Sequence, residues 1–265
     1  MDRVCAVIPA RYGSTRFPGK PLIPLAGKAM ILHVCERVAA ARRAEVVQDF
    51  LVATDDERIR KAVEAAGFPV QMTAADHPTG TDRLAEVAAG RADQIFVNVQ
   101  GDEPLVEIEV IAALVEPLCS DAALQMGTLK TALDRPEDRF DPNRGKVVVD
   151  ARDRALTFTR LPIIEDVPAD QDYFNRARVE QEHSSGGLTV YSDIGVYAYR
   201  RDFLIGYPKL ARTPFEQSER LEQLRALEHG FEISVPTVVH RALEVDTPED
   251  VARVEAALAQ ERAIE

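Results

Sequence analysis

Short apolar segments of strand length alternate with stretches of helical periodicity through the first half of the chain. The apolar segments predict strands at 4–8, 50–54, 70–73 and 94–99. Between them, apolar residues recur with the period of a helix, which predicts helices at 29–43, 55–66, 82–89 and 108–119. This alternation is typical of βαβ units, and we expect an α/β fold with a mainly parallel sheet and helices on both faces.

The pattern changes near residue 124, where strand-like segments follow one another with little helix between them. Strands are predicted at 124–130, 146–150, 156–159 and 189–200, and a long loop at 164–187. The remaining predictions are a helix at 214–229, a strand at 231–235 and a capped helix at 248–260. We therefore predict a single domain, 1–265, in three parts: 1–123, a β-rich part at about 124–212, and a return to the main sheet at 213–265.

The composition is that of a folded globular protein. Of the 265 residues, 46% are hydrophobic and 29% are charged, which argues against disordered, collagenous and disulfide-scaffold classes. The cysteines Cys5, Cys35 and Cys119 form no Cys-x-x-Cys pair, so we expect reduced thiols in a cytoplasmic protein. The first apolar segment stops at Pro9 and is too short for a signal sequence or a membrane span.

The net charge of −12, from 32 Lys and Arg against 44 Asp and Glu, argues against nucleic acids and anionic membranes as partners. The charge is unevenly distributed along the chain. Residues 1–43 contain eight basic and two acidic residues, a local charge of +6, so the rest of the chain carries −18. Such a local basic excess is compatible with a small anionic ligand.

The segment 9–22, Pro-Ala-Arg-Tyr-Gly-Ser-Thr-Arg-Phe-Pro-Gly-Lys-Pro-Leu, joins the first predicted strand to the first predicted helix. In an open parallel sheet, ligands bind at the carboxyl ends of the strands, and this loop is the usual phosphate site. Arg11, Arg16 and Lys20 suit a triphosphate, while two glycines let main-chain amides approach its oxygens. A solvated basic loop is the alternative. The segment matches neither the P-loop nor the Gly-x-Gly-x-x-Gly pattern, which disfavours a P-loop ATPase or a dinucleotide oxidoreductase.

Two acidic positions are candidate metal ligands. Asp102 follows the strongest predicted strand, and Asp246 lies just before the cap of the last predicted helix. Together they suit Mg²⁺ held against phosphates. The alternatives are a turn or helix cap for Asp102 and compensation of the helix dipole for Asp246. A further stretch, 79–83, carries small polar groups at a helix N-terminus that suit a nucleobase or a ribose.

Ordered motifs along nearly the whole chain resemble those of the CMP-Kdo synthetases, the cytidylyltransferases that activate 3-deoxy-D-manno-octulosonate (Kdo). The matching motifs are 9–22, 53–58 (Ala-Thr-Asp-Asp-Glu-Arg), 80–83 (Gly-Thr-Asp-Arg), 98–104 (Asn-Val-Gln-Gly-Asp-Glu-Pro), 221–230 (Leu-Glu-Gln-Leu-Arg-Ala-Leu-Glu-His-Gly) and 245–250 (Val-Asp-Thr-Pro-Glu-Asp). So many matches in one order leave little room for coincidence.

The resemblance implies a nucleotide-diphosphosugar transferase (Rossmann-like) fold, whose β-rich part binds the sugar and a second copy of the chain. The implied reaction converts CTP and Kdo to CMP-Kdo and pyrophosphate with Mg²⁺, for lipopolysaccharide or capsule biosynthesis. The implied catalytic residues are Arg11, Lys20, Asp102 and Asp246, the last two as metal ligands. The implied nucleotide-binding residues are Arg11, Ser14, Lys20, Thr79, Gly80, Arg83 and Asp102. The implied sugar-binding residues are Gln100, Arg160, Asp193, Tyr197, Glu222 and Gln223.

The chemistry of this reaction suits these residue types. The anomeric hydroxyl must attack the α-phosphorus in line, against repulsion between anions and with charge developing on the leaving pyrophosphate. Lys20, the arginines and Mg²⁺ answer both obstacles, so positioning and electrostatic stabilisation would carry the catalysis. No covalent intermediate is required, and none of the five histidines has an evident triad partner.

The sequence departs from the family pattern near the sugar site. Asp193 stands where the family usually carries a histidine that faces the sugar. A carboxylate there should weaken the binding of an anionic sugar acid unless the sugar carries a compensating group. We therefore hypothesise an acceptor that is Kdo or a modified relative, for example an 8-amino sugar. A neutral replacement at the edge of the pocket is the alternative.

Three other functions remain as hypotheses at this point. Two are enzymes: a cytidylyltransferase for a sialic-acid-like sugar acid, and a transferase that uses another nucleotide. The third is a non-catalytic nucleotide-binding protein that kept the fold. The joint presence of Arg11, Lys20, Asp102 and Asp246 argues against the third, because interaction alone would not need both acids.

Overall fold

The structure, a computed structural model, describes residues 2–13, 17–133, 135–163, 189–240, 245 and 248–262. Its helices are α1 Met30–Arg43, α2 Glu57–Ala65, α3 Gly80–Ala89, α4 Ile108–Ser120, α5 Arg201–Gly206, α6 Pro214–Glu219, α7 Gln223–Glu228 and α8 Pro248–Arg262. Its strands are β1 Val4–Ala10, β2 Pro24–Leu25, β3 Lys28–Ala29, β4 Asp49–Thr54, β5 Val70–Met72, β6 Ile95–Asn98, β7 Met126–Gly127, β8 Lys130–Ala132, β9 Lys146–Val149, β10 Ala155–Thr159, β11 Tyr191–Asp193, β12 Tyr197–Arg200 and β13 Ile233–Ser234. Short 3-10 helices are Lys20–Leu22, Pro136–Phe140 and Tyr207–Lys209. None of the described helices is both long and apolar enough to cross a membrane.

The main sheet has seven strands in the order β13-β7-β12-β6-β1-β4-β5. Strands β6, β1, β4 and β5 are parallel, β13 is parallel to β7, and β12 is antiparallel to both of its neighbours. The predicted α/β fold with a mainly parallel sheet is thus confirmed. The chain passes from β1 to β4 and β5 on one side and to β6 on the other. The strand order therefore reverses at β1, which opens a crevice at the carboxyl ends of β1 and β6.

A second, antiparallel sheet of four strands, in the order β10-β9-β11-β8, comes from the stretch after residue 124. Strands β7 and β12 come from the same stretch but pair within the main sheet, so both sheets share it. The limits of the three parts at 123 and 212 remain a prediction. The loop predicted at 164–187 lies outside the described residues.

The two faces of β1 explain why helices cover both sides of the main sheet. Val4, Ala6 and Ile8 pack in one apolar cluster with α1 and α4, while Cys5 and Val7 pack in another with α3 and α5. Successive side chains of a strand point to opposite faces, so a continuous apolar segment is buried on both. The loop that follows β1 therefore starts from a rigid core.

Three predicted elements are interrupted in the structure. The predicted strand 189–200 is divided into β11 and β12, because Gly195 adopts a left-handed conformation with φ of 74°. The predicted helix 214–229 is divided into α6 and α7 at Arg220, which is left-handed with φ of 56°. The predicted strand 124–130 is divided into β7 and β8, and α5 was not predicted. The hydrophobic period continues across such turns, so the pattern alone does not reveal them.

Candidate active site

The crevice at the carboxyl ends of β1 and β6 contains a cavity of ≈ 250 Å³. The sequence-predicted residues that line it are Arg11, Lys20, Thr79, Gly80, Arg83, Gln100 and Asp102. The other described lining residues are Pro9, Ala10, Pro21, Met30, His77 and Gly101. The fold therefore brings the predicted nucleotide-binding residues of three loops together. Of the remaining predicted residues, Ser14, Arg16 and Asp246 lie outside the described part of the chain.

The loop after β1 is bent so that Lys20 reaches the cavity. Gly19 has φ of +73°, and a Cβ atom there would lie 3.0 Å from the ring of Tyr12. The N–H of Gly19 donates to the carbonyl of Tyr12 at 3.0 Å and closes the loop. The guanidinium carbon of Arg58 lies 3.3 Å from the centre of the Tyr12 ring, a cation–π contact. Glycine is needed at position 19 because any other residue would strain the backbone and press on this ring.

Lys20 and Asp102 form an ion pair in the cavity wall. Nζ of Lys20 lies 2.6 Å from Oδ2 of Asp102, and the two side chains are 11% and 29% exposed. A charge-assisted bond of this kind holds an otherwise flexible lysine in one place. Each of the two side chains could also bind a ligand in place of its partner, because an ammonium binds phosphate and a carboxylate binds a cation.

Main-chain contacts fix Asp102 at the end of β6. A Cβ atom on Gly101 would lie 2.9 Å from the carbonyl oxygen of Pro9, so the loop after β6 approaches β1 as closely as a glycine allows. The N–H of Val245 donates to the carbonyl of Asp102 at 3.3 Å. Val245, the residue that directly precedes Asp246, therefore contacts the main chain of Asp102.

The donor chemistry of Asp102 fits a divalent cation. Mg²⁺ prefers hard carboxylate oxygens, retains several waters, and is usually bound through one or two carboxylates together with substrate phosphates. Within the described ranges there is no cluster of three or more His, Cys, Asp or Glu side chains that would hold a metal by itself. A carboxylate that binds Mg²⁺ together with substrate phosphates does not need such a cluster, since the phosphates supply the other oxygens.

The N-terminus of α3 forms another wall of the cavity. The hydroxyl of Thr79 caps the helix by accepting the N–H of Asp82 at 3.2 Å, and it lies 2.7 Å from Oδ2 of the same residue. Arg83 is 4% exposed. Its guanidinium lies 3.3 Å from Oδ1 of Asp55 and donates to the hydroxyl of Thr73. Arg83 is therefore a fixed cation, suited to an acceptor atom of a base or a ribose.

The predicted sugar-binding residues form a second group around Asp193. Its Oδ2 accepts from the hydroxyl of Tyr197 at 3.2 Å and from Nε2 of Gln223 at 2.8 Å. Its Oδ1 accepts from the hydroxyl of Thr128 at 3.2 Å and from the N–H of Gly195 at 3.4 Å. Burial raises the pKa of the Asp193 carboxyl to about 6, although the bonds from Gly195, Thr128 and Tyr197 act to lower it. Asp193 is the centre of a hydrogen-bond network.

Two contacts join this group to the cavity that the predicted nucleotide-binding residues line, which we call the nucleotide cavity. Gln100 lines the cavity and donates from Nε2 to the carbonyl of Gly195 at 3.4 Å. The two carboxylate oxygens of Glu222 lie 3.2 Å from the hydroxyls of Thr79 and Thr81. Burial raises the pKa of the Glu222 carboxyl. The predicted nucleotide and sugar residues therefore form two adjacent groups, with Gln100 and Glu222 at their boundary.

Arg160 belongs to the second group. It directly follows β10, and its guanidinium lies close enough to Asp193 to act to lower the pKa of that carboxyl. NH1 of Arg160 donates to the carbonyl of Asn143 at 2.7 Å. The described lining of the nucleotide cavity includes none of Arg160, Asp193, Tyr197, Glu222 and Gln223. Apart from Gln100, the predicted sugar-binding residues thus lie outside the described lining of the nucleotide cavity.

A histidine–glutamate pair in the cavity was not predicted from the sequence. His77 lines the cavity, and its Nε2 is hydrogen-bonded to Oε2 of Glu86 on α3. The same oxygen accepts the N–H of Ala74 at 3.0 Å. Burial acts to raise the pKa of Glu86, but the bonds from His77 and Ala74 hold it below its usual value. The available signal was the position of His77, two residues before the cap of a helix whose later turn carries an acid.

Comparisons with known proteins show the family to which this chain belongs. The family model described as "Cytidylyltransferase" matches residues 5–233. A 3-deoxy-manno-octulosonate cytidylyltransferase of Geobacter metallireducens is 48% identical over 252 residues, which covers 95% of this chain and 96% of the relative. A protein of the same name from Syntrophotalea carbinolica is 49% identical over 255 residues, covering 96% of this chain and 98% of the relative.

A solved structure extends the agreement to the fold. It is described as a CMP:2-keto-3-deoxy-manno-octonic acid synthetase complexed with CTP and is 39% identical to this chain. The TM-score is 0.85, and the match covers 98% of this chain and 99% of that one. The fold and the family inferred from the motifs are both confirmed. The chain therefore belongs to the cytidylyltransferase family, among the 3-deoxy-manno-octulosonate cytidylyltransferases.

Proposed function

We propose that this chain, a nucleotidyltransferase, transfers CMP from CTP to the anomeric hydroxyl of Kdo and releases pyrophosphate. The observation that carries the proposal is the Lys20–Asp102 ion pair, which lines the same cavity as Arg11 and the N-terminus of α3. The cavity lies where the strand order reverses, the position at which parallel sheets bind nucleotides. The names of the relatives support CTP and Kdo as the substrate pair.

Positioning and charge neutralisation carry the catalysis in this proposal. The Kdo hydroxyl attacks the α-phosphorus in line with the leaving pyrophosphate. Arg11 and Lys20 bind phosphate oxygens, which reduces the repulsion that the attacking hydroxyl meets and stabilises the charge on the leaving group. Lys20 reaches the phosphates by turning away from Asp102, its counter-ion in the structure. No side chain needs to form a covalent bond with the substrate.

We assign Mg²⁺ as the metal, with Asp102 and Asp246 as its protein ligands. The family commonly uses a divalent metal. The hydrogen bond from Val245 to Asp102 supports the pairing, because it brings the chain adjoining Asp246 to the same place. When bound, the ion would neutralise charge on the triphosphate and on the leaving pyrophosphate. Asp102 would then have the metal as its counter-ion, and Lys20 would be available to the phosphates.

The network around Asp193 favours unmodified Kdo as the acceptor. Both carboxylate oxygens of Asp193 already accept hydrogen bonds from protein donors, so an amino group on the sugar would have to displace one of them. Arg160 supplies a cation for the carboxylate of the sugar acid. Tyr197 and Gln223 are held in one orientation by their shared acceptor, which preorganises them for sugar hydroxyls.

We also propose that the chain forms homodimers through the β-rich part. Strand β10 lies at an edge of the four-stranded sheet. Leu156 on this strand and Leu161 just after it are 54% and 62% exposed. Exposed large apolar side chains at a sheet edge suit contact with a second copy. We place the protein in the cytoplasm, because its three cysteines are free thiols.

Measurements of pyrophosphate release test the proposed function. With Mg²⁺, we expect CTP and Kdo to support turnover, and UTP or ATP to give at least about tenfold less. Kdo and its 8-amino analogue are compared under the same conditions, and a preference for the analogue contradicts the assigned acceptor. Asp102→Asn should reduce turnover by about 10²–10³-fold with an unchanged circular dichroism spectrum. Full activity of this variant overturns the metal assignment. Glu36→Gln, at an exposed acid paired with Lys28, is the matched control.

A further inference from the structure

Lys146 is a completely buried lysine in the four-stranded sheet. It begins β9, an inner strand, and is 0% exposed. Its Nζ donates to the carbonyls of Asp141 at 2.8 Å, Arg144 at 3.0 Å and Arg160 at 3.1 Å. Burial lowers the pKa of Lys146. A buried charge is costly unless it is hydrogen-bonded, so the ammonium group depends on these three main-chain acceptors.

A second buried charged residue, Glu219, binds the main-chain N–H of Arg160. It ends α6 and is 5% exposed. Its Oε2 accepts the main-chain N–H of Arg160 at 2.8 Å, and its Oε1 accepts the hydroxyl of Thr159 at 2.9 Å. The carbonyl of Arg160 is therefore held by a buried cation, and its N–H by a buried anion. Charge-assisted bonds on both sides leave this main-chain position little freedom.

The same lysine fixes the loop that holds the guanidinium of Arg160. NH1 of Arg160 donates to the carbonyl of Asn143, which lies in the loop whose carbonyls Lys146 binds. The next part of this loop also contacts the sugar group, since the carbonyl of Gly145 accepts the N–H of Asp193 at 2.9 Å. Lys146 therefore connects the main chain of Arg160, its guanidinium and the strand of Asp193.

We infer that Lys146 and Glu219 are positioning residues that direct the Arg160 side chain toward the carboxylate of the sugar acid. The inference rests on the proposed function, in which Arg160 binds that carboxylate. Apolar side chains of similar volume often stabilise a protein interior at least as well as buried charges do. They cannot, however, hold the N–H and the carbonyl of one residue in a fixed orientation. The two charged side chains thus fix the orientation of Arg160, and they affect the substrate only through Arg160.

Steady-state kinetics of single and double variants test this inference. Lys146→Met and Glu219→Leu should each raise the KM for the sugar acid about tenfold and change the KM for CTP by less than about twofold. Glu219→Gln retains an acceptor for the N–H of Arg160, so its KM should stay within about threefold of the wild-type value. In an Arg160→Ala background, Lys146→Met should add less than about twofold, because both changes act through one group.

Arg200→Met is the matched control. Arg200 likewise donates to three main-chain carbonyls, those of Leu118 at 2.5 Å, Leu124 at 2.9 Å and Asp121 at 3.1 Å. It ends β12 opposite Ile95, at the amino end of β6, whereas the nucleotide cavity lies at the carboxyl end. We expect this variant to have a lower Tm and unchanged KM values for both substrates.

Two results would overturn the inference. One is an equal rise in both KM values for Lys146→Met. The other is a tenfold effect of Lys146→Met that persists in the Arg160→Ala background. If Lys146→Met does not fold, Glu219→Leu and Glu219→Gln give the same comparison. Failure of the proposed function is a separate outcome, because the wild-type chain would then show no turnover with CTP and Kdo.

Discussion

At the residue scale, Asp193 is the buried acceptor at the centre of the proposed sugar-binding group. Tyr197 and Gln223 both donate to its Oδ2. Burial raises its pKa to about 6, so the carboxylate predominates at neutral pH and the protonated form below about pH 6. A protonated carboxyl uses one oxygen as a donor and accepts fewer hydrogen bonds. Acid therefore weakens the acceptor that Tyr197 and Gln223 share.

The raised pKa of Asp193 predicts the pH dependence of stability. A carboxyl with a pKa of about 6 when folded, against a usual 3.8, binds more protons in the folded state between these values. Its contribution to the free energy of unfolding is therefore fully present below about pH 4 and is lost as the pH rises to about 6. Asp193→Asn removes this dependence. We expect the difference in Tm, wild type minus variant, to fall between about pH 4 and pH 7 in thermal-unfolding measurements.

The test of Asp193 has one result that would contradict it and one control variant. A difference in Tm that does not change with pH contradicts the raised pKa. Asp121→Asn is the control, at an acid that is 44% exposed and paired with Arg154. Its difference from the wild type should stay nearly constant across the same range, since a surface ion pair contributes little to stability.

The residue types of the site could be predicted from the sequence, and their partners could not. Lys20 and Asp102 were both candidates, one in a basic loop and one after a strand. The 2.6 Å pair that they form joins positions 82 apart in the chain. Asp193 likewise predicted repulsion of an anionic sugar, yet its donor Thr128 is 65 positions away. Such neighbours arise only when strands from distant parts of the chain pair.

At the element scale, the contact between β1 and the loop after β6 lies in the lining of the nucleotide cavity. The carbonyl of Pro9 lies 2.9 Å from the place of a Cβ atom on Gly101, and the side chain of Ile31 on α1 lies 3.4 Å from it. Asp102 follows immediately and carries the ion pair with Lys20. A side chain at position 101 would therefore push the loop after β6 away from β1 in the lining of the cavity.

Gly101→Ala should therefore damage both stability and nucleotide binding. Overpacking at this junction should lower the free energy of unfolding by about 1–3 kcal/mol, because main-chain atoms must move. Displacement of Asp102 and Lys20 should raise the KM for CTP by about tenfold. Urea denaturation and pyrophosphate release measure the two effects. Gly206→Ala, at a glycine with no atom within 4 Å of its Cβ position, is the control and should leave the KM unchanged. A wild-type KM for Gly101→Ala contradicts the assigned role of the contact.

The sequence predicted elements best where period and terminal signals agree. Helix α8, predicted at 248–260 from a cap and a proline at the first helical position, extends over Pro248–Arg262. The breaks at Gly195 and Arg220 escaped prediction, because a left-handed residue changes the chain direction without changing the apolar period. Arg220 is not a glycine, so even its residue type gave no signal.

At the scale of the whole molecule, the net charge of −12 hides a separation of charge along the chain. Residues 1–43 carry +6 and include Arg11 and Lys20, which line the nucleotide cavity. The remaining residues carry −18. This separation was visible in the sequence, as was the family. The fold was needed to show that the cations of the first loop meet the acidic residue after β6.

An anionic nucleotide that approaches this molecule meets long-range repulsion and short-range attraction. The Debye length is about 30 Å at 0.01 M salt and about 10 Å at 0.1 M, so salt screens the distant acids more than the contacts inside the cavity. We therefore expect kcat/KM for CTP, with Mg²⁺ and sugar acid fixed, to rise about twofold between these concentrations. Lys20→Met should lower kcat/KM throughout but keep the rise, because the distant charges are unchanged. A steady fall with salt in the wild type would mean that the local cluster of cations, and not the acidic remainder of the chain, controls the approach of the nucleotide.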